Sequence, residues 1–204
     1  VSNGNFCNVG NLNIANMAND ATGITGISGD GIMVTGNTFT NKPNGVINIS
    51  SPSTGSGSGV GVAGSGINID GGMFIDSSAV NINGVGSNGV LLTGGDYTQA
   101  NGSTLSIQNT GIHGIQVPFN RTVISSDSST IRILTGVTNN GINNEGTFRL
   151  TETSQLEIGV GGASGAIPGV GISNMGTFET ADKGTKITIN NTNGVSILNT
   201  GGTF

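Results

Sequence analysis

The chain has no tryptophan, one tyrosine, one cysteine, one histidine and four prolines among 204 residues, and only 8% of it is charged. Each shortage closes off a class of protein. Cys7 alone makes no intrachain disulfide and no thiolate cluster for a metal, and it reads as a small apolar side chain. Six Lys and Arg, scattered along the chain, cannot neutralise a run of phosphates, so no nucleic-acid-binding face is expected. No run approaches the ~20 apolar residues that a bilayer helix requires, so membrane insertion is not expected either. Helix-forming runs are scarce too: residues 15–20 could make one helical turn, too short to stand alone.

What the chain has is glycine, 38 of them, among abundant Asn, Ser and Thr. Without a period such a composition would signal disorder; here there is a period. The block Gly-Ile-x-Asn-x-Gly-Thr-Phe occurs at 141–148 and again at 171–178, and a looser copy, Ile-Leu-Asn-Thr-Gly-Gly-Thr-Phe, closes the chain at 197–204. Each of the first two is followed by a short alternating apolar run, Leu156–Ile158 or Ile187–Ile189. All eight aromatics fall into the same slot of the repeat: Phe6, Phe39, Phe74, Tyr97, Phe119, Phe148, Phe178 and Phe204. Four residues before the aromatic stand small hydrogen-bonding side chains, Ser2, Thr35, Asp70, Thr93, Asn144, Asn174 and Thr200. Only the segment at Phe119 departs, with Ile115 in that place and Pro118 instead of a Gly turn.

The aromatics recur at intervals averaging roughly 28 residues, a solenoid-like length. Between them lie short strands: 22–28, 31–39, 46–49, 67–69, 79–82, 90–92, 105–107, 115–117, 123–124 and 131–134. Strands this short form no stable hairpin sheet, but stacked coil on coil each pairs with its equivalents above and below. The expectation is a single all-β domain over 1–204, a β-solenoid of about seven stacked coils with parallel strand pairing, roughly 33 Å tall at the usual strand spacing. Aliphatic residues form inward columns, glycines take the φ > 0 corners, and Asn, Thr and Asp line one turn. The Ser/Gly-rich segment 50–66 reads as a flexible loop.

The repeat block and its spacing resemble the right-handed parallel β-helix of the pectate-lyase-like superfamily, bacterial surface adhesins and fibres included. That resemblance covers the whole chain and implies a fold. Enzymes of the superfamily cleave acidic polysaccharides with clustered Asp residues, used as calcium ligands or as an acid/base pair, and such chemistry needs carboxylates converging on one bond. Here the eleven acids are dispersed, and only Asp70, Asp96 and Asp76 are expected near one turn. They read as isolated turn caps. His113, in Gly-Ile-His-Gly-Ile, resembles the Gly-His-Gly of polygalacturonase-like enzymes, but the flanking acidic elements are missing, so it reads as structural. The segment 64–72 has the look of one calcium-binding nonapeptide without the consecutive copies such a site requires. The sequons at Asn48, Asn101, Asn120 and Asn190 are chance products of an Asn- and Thr-rich chain. Thr38, Thr147, Thr177 and Thr203 share a position, but Asn5, Met73, Asp96 and Pro118 interrupt the row that ice binding would need.

No catalytic residue, metal site or cofactor is therefore assigned. The expected role is a non-catalytic, extracellular structural β-solenoid. It would self-associate head-to-tail into a surface fibre through Val1, Ser2 and Asn3 at one end and Gly202, Thr203 and Phe204 at the other, or form an adhesin stalk. The chain starts and stops at matching points of the repeat, and this is what suggests a homopolymer. The alternative is a protein that binds or cleaves polysaccharide, with surface glycans as partners. The aromatics, all committed to one column, leave none for sugar stacking.

Overall fold

The computed structural model describes residues 5–15, 29–50, 62–160, 166–181 and 183–204. The strands expected at 22–28, the helical turn at 15–20 and most of the Ser/Gly segment 50–66 lie outside them. Among the described residues there is no helix, and the strands form three seven-stranded sheets, all paired in parallel. The protein is an all-β parallel β-helix of seven coils.

Sheet 1 is built from Phe6–Asn8, Thr38–Asn41, Met73–Asp76, Asp96–Gln99, Thr122–Ser125, Thr147–Leu150 and Thr177–Thr180. Sheet 2 contains Asn11–Ala15, Val46–Ser50, Ala79–Val85, Thr104–Thr110, Thr130–Ile133, Gln155–Ile158 and Lys186–Ile189. Sheet 3 contains Ile32–Val34, Ile67–Ile69, Val90–Leu92, Ile115–Val117, Ile142–Asn144, Ile172–Asn174 and Ile197–Asn199. One strand of each makes a coil. The segment 31–39, read from sequence as one strand, is two, because Gly36 and Asn37 both take positive φ (119° and 58°) and turn the chain from sheet 3 to sheet 1.

Alternation decides which side chains go inside. In sheet 2, Ile47, Val80, Leu105, Ile131 and Leu156 form one buried column, and Ile49, Ile82, Ile107, Ile133 and Ile158 another. Sheet 3 supplies Ile32, Ile67, Val90, Ile115, Ile142 and Ile172. Together with the aromatics of sheet 1 they form one continuous core, contributing ~1.5–3 kcal/mol for each fully buried aliphatic side chain.

Glycines take positive φ at several corners, as expected, Gly36, Gly71, Gly72, Gly102 and Gly136 among them, but the glycine that precedes the first six sheet 3 strands serves another purpose. Gly31, Gly66, Gly89, Gly114, Gly141 and Gly171 stack in one column. A Cβ on Gly114 would lie 2.5 Å from the Gly141 carbonyl oxygen and 2.7 Å from Ile133 Cγ2. The other members meet the next coil's backbone oxygen and a sheet 2 isoleucine in the same way. The coils approach too closely at this corner for any side chain. Positive φ is found at other corners, often on asparagine: Asn37, Asn44, Asn101 and Asn120 among them.

Candidate functional site

The aromatic column lies on the inner face of sheet 1. Phe6, Phe39, Phe74 and Tyr97 stack with ring centroids 4.7, 4.7 and 5.5 Å apart. Phe148, Phe178 and Phe204 continue the stack at 5.1 and 4.8 Å. Between the two groups the slot belongs to Val123, which pairs with Tyr97 on one side and Phe148 on the other. Phe119 is not in the column: it stands on the surface, 74% exposed. Corner length explains this. The link from sheet 3 to sheet 1 has three residues at 35–37, 70–72 and 93–95, four at 118–121, and two at 145–146 and 175–176. The four-residue corner carries Phe119 to its tip and moves the column position to Val123.

The same variation splits the proposed polar ladder into two sets. Thr35, Asp70, Thr93 and Thr200 follow the strand ends and are exposed. Asn144 and Asn174, before two-residue corners, sit one position earlier, at the inward third place of their strands. There they make a buried amide ladder: Asn144 Nδ2 donates to Asn174 Oδ1 (2.7 Å) and Asn174 Nδ2 to Asn199 Oδ1 (2.9 Å). Both amides also donate to corner carbonyls, Asn144 to Thr177 O and Asn174 to Thr203 O. Asn199 is thus a rung, a place the sequence reading gave to Thr200. Counting back a fixed four residues from the aromatic conflates the two sets. Ser2 lies outside the described residues.

Sequence reasoning missed a second interior ladder, two residues after each of the first four aromatics and after Val123. Asn8 Nδ2 donates to Asn41 Oδ1 (2.9 Å), and Asn41 Nδ2 to Asp76 Oδ1 (2.9 Å). Asp76 also accepts from the Ser78 N–H (3.1 Å) and, at its other oxygen, from the Tyr97 hydroxyl (3.3 Å). Beyond it the direction reverses, with Ser125 Oγ donating to Gln99 Oε1 (3.3 Å). Asp76 is therefore an acceptor between donors from both sides, a role that a carboxylate fills and an amide does not. Burial pushes its pKa up to about 6, against the lowering pull of the hydrogen bonds from Asn41, Ser78 and Tyr97. Burial and the adjacent Asp76 likewise raise the Tyr97 phenol well above its ordinary value. The polar residue two places after each aromatic, in Phe6-x-Asn8, Phe39-x-Asn41, Phe74-x-Asp76 and Tyr97-x-Gln99, was the available signal.

His113 belongs to a third ladder, at the corner between sheets 2 and 3. Side-chain acceptors there cap backbone N–H groups one coil on: Asp30 Oδ1 takes Ser65 N–H (2.7 Å), Asn88 Oδ1 takes His113 N–H (3.2 Å), His113 Nδ1 takes Asn140 N–H (3.3 Å), and Asn140 Oδ1 takes Val170 N–H (3.2 Å). His113 is buried, and burial lowers its pKa, with Glu145 pulling weakly the other way. Its Nδ1, as the acceptor of the Asn140 N–H, is unprotonated in this ladder.

On the outside, the acids expected near one turn face three ways. Asp70 is exposed on its corner, Asp76 is inside, and Asp96 lies on the outer face of sheet 1, accepting the Thr122 N–H (2.7 Å). Asp76, on the inside of the coil, shares no outer surface with Asp70 and Asp96. The outer threonine row is longer than the sequence suggested: Thr122, not Pro118, stands before Thr147, Thr177 and Thr203. Met73 and Asp96 still interrupt it, and the neighbouring column carries the Arg149–Glu179 ion pair (2.6 Å). Sheet 2 presents an outer amide row in which Asn81 donates to Asn48 and Asn48 to Asn13 (2.9 and 2.8 Å). Asn48, Asn81, Asn83, Ser106 and Gln108 border an open groove of about 510 Å³ beside it.

Comparison with protein-family models, with curated proteins and with solved structures found no match for this chain.

Proposed function

We propose that the chain is a non-catalytic structural β-solenoid of an extracellular surface, of the right-handed pectate-lyase-like type. In this reading it is a rod-like segment that continues coil on coil as an adhesin stalk or copy on copy as a fibre. One observation carries the proposal. The interior columns run in register through all three sheets to the last coil, where Ile197 (40%) and Phe204 (53%), members of the aliphatic and aromatic columns, are exposed. A further coil bearing the same aromatic, aliphatic and amide columns would cover that edge. The first coil offers such columns, with Phe6 exposed at 38% and Leu12 and Ile14 only partly buried. A contact of this head-to-tail kind is heterologous and propagates when it does not close. Gly202, Thr203 and Phe204 belong to the exposed edge, whereas Val1, Ser2 and Asn3 lie outside the described residues. An open sheet edge is itself a template for pairing.

Negative-stain electron microscopy and sedimentation at neutral pH test the reading. Thin fibres are expected from the unmodified chain, and their loss from the double variant Ile187→Lys/Ile197→Lys, which places charge on the inner columns of the last coil. Fibres that survive those charges would sink the stacking model. Monodisperse short rods from the unmodified chain would remove the fibre and leave the stalk.

A further inference from the structure

Phe119 is the most exposed large apolar side chain among the described residues, at 74%. Its corner, 118–121, is also the longest of those joining sheet 3 to sheet 1. A ring on a loose loop would need no account, but this corner is held from several directions. The Arg121 N–H closes a turn on Pro118 O (3.2 Å), with Asn120 at φ 61°. The Arg121 guanidinium reaches back one coil and donates from Nη1 to Gly94 O (2.7 Å). Asp96 takes the Thr122 N–H (2.7 Å), and Arg121 O accepts from the Thr147 N–H in the next coil (2.8 Å). Glu145 N–H and Gly146 N–H both bond Val117 O, seating the next corner against the base of the turn. The ring is thus displayed on a preorganised support, and its ordering cost is met before any partner arrives.

The surroundings indicate the class of partner. A protein-binding hot spot is ringed by further contacts that exclude water. Phe119 instead has polar neighbours along the backbone: the exposed Asn120 and the half-buried Arg121 follow it on the corner, and the half-buried Glu145, which accepts from Asn143 Nδ2 at 3.4 Å, begins the next corner, seated on Val117 O. One apolar ring with a rim of amide, carboxylate and guanidinium matches a sugar ring, which has an apolar C–H face and a rim of hydroxyls. We propose that the Phe119 corner is a saccharide-binding platform, on which a pyranose stacks against the ring and Asn120 and Glu145 take its hydroxyls. A single convex ring makes a weak site, and the copies carried along an assembled surface supply avidity. This site is independent of the end-to-end contacts proposed above and of the groove on sheet 2.

The test is an NMR titration of the isotope-labelled chain with tetramers of β-1,4-linked glucose, galactose and N-acetylglucosamine as probes. At least one tetramer is expected to shift the amides of 119–122 and 145–146. Phe119→Ala should weaken that binding by tenfold or more, and Phe119→Trp should retain or strengthen it. The remaining resonances of Phe119→Ala report that the fold is intact. Three results would overturn the proposal: no probe shifts these amides, binding is the same in Phe119→Ala, or Phe119→Ala abolishes a concentration-dependent self-association of the unmodified chain, which would assign the ring to a contact between copies.

Discussion

Asp76 shows what one buried residue contributes to this molecule. It ends a chain of amide donors from one side and accepts the Tyr97 hydroxyl from the other, and its carboxyl, with no exposed surface, is held up to about 6 by burial. A pKa raised on folding means that the folded state binds the proton more tightly than the unfolded state, whose value is near 3.8. The associated stability is complete below pH 3.8, falls as pH rises, and is gone above about 6. The shift corresponds to an upper bound of about 3 kcal/mol. His113 works in the opposite direction: its pKa is lowered on folding, so its contribution is present above the ordinary histidine value and lost as pH falls through the lower folded one. Denaturant titrations across pH 3.5–8 should therefore show that Asp76→Asn removes the decline between about 4 and 6, and that His113→Asn removes a loss on the acid side. Asp76→Asn gains less than the full amount at neutral pH, because Tyr97 then faces an amide donor and its own hydrogen loses its acceptor. A profile unchanged by Asp76→Asn would mean that the carboxyl is not buried.

Among the elements, the strands are uniform and the corners carry the individuality. The links from sheet 3 to sheet 1 run from two to four residues. Two residues put the inward Asn144 and Asn174 four places before the aromatic, where other coils have an exposed corner residue; four put Phe119 outside. From sheet 2 to sheet 3 the links range from four residues, 86–89 and 111–114, to the long segments 16–31 and 51–66, which is why the aromatics recur at irregular intervals. Through that variable corner runs the glycine column, six glycines long and ending at Ser196. Gly114→Ala would force a Cβ against Gly141 O and Ile133 Cγ2, and is expected to cost roughly 1–3 kcal/mol in chemical denaturation, the usual cost of overpacking. Gly10→Ala, with open space around the added methyl, should stay within about 0.5 kcal/mol. Equal effects at the two positions would refute close approach as the reason for the column. The Gly-Ile pairs were legible in sequence; their reason was not, because it lies in a carbonyl some 25–35 residues away.

At the scale of the whole molecule, each coil touches its neighbours above and below, so stability is close to a sum of coil terms and interfaces. The middle coils, with columns buried on both sides, should therefore open last. The final coil, whose Ile187 and Ile189 are half-buried and whose Ile197 is exposed, should open first. Amide hydrogen exchange is expected to be slowest in the strands Val80–Leu92 traverses and in Leu105–Ile107, and fastest in Lys186–Ile189 and Ile197–Asn199. Uniform protection along the stack would contradict coil-by-coil cooperativity. If a second copy covers the last coil, protection there should rise with protein concentration, by mass action.

The sequence by itself determined the class of architecture: period-two alternation placed the aliphatic columns, and the aromatic spacing marked the coils. These are local or periodic properties, readable from neighbours in the chain. Only the tertiary structure decided the register between coils. Because side chains alternate, a corner one residue longer or shorter moves a residue from inside to outside. A four-residue corner carried Phe119 to the surface, two-residue corners hid the inward Asn144 and Asn174 behind a fixed count back from the aromatic, and Asp76, read as a turn cap, is an inward side chain of its strand that accepts from Asn41 and Tyr97.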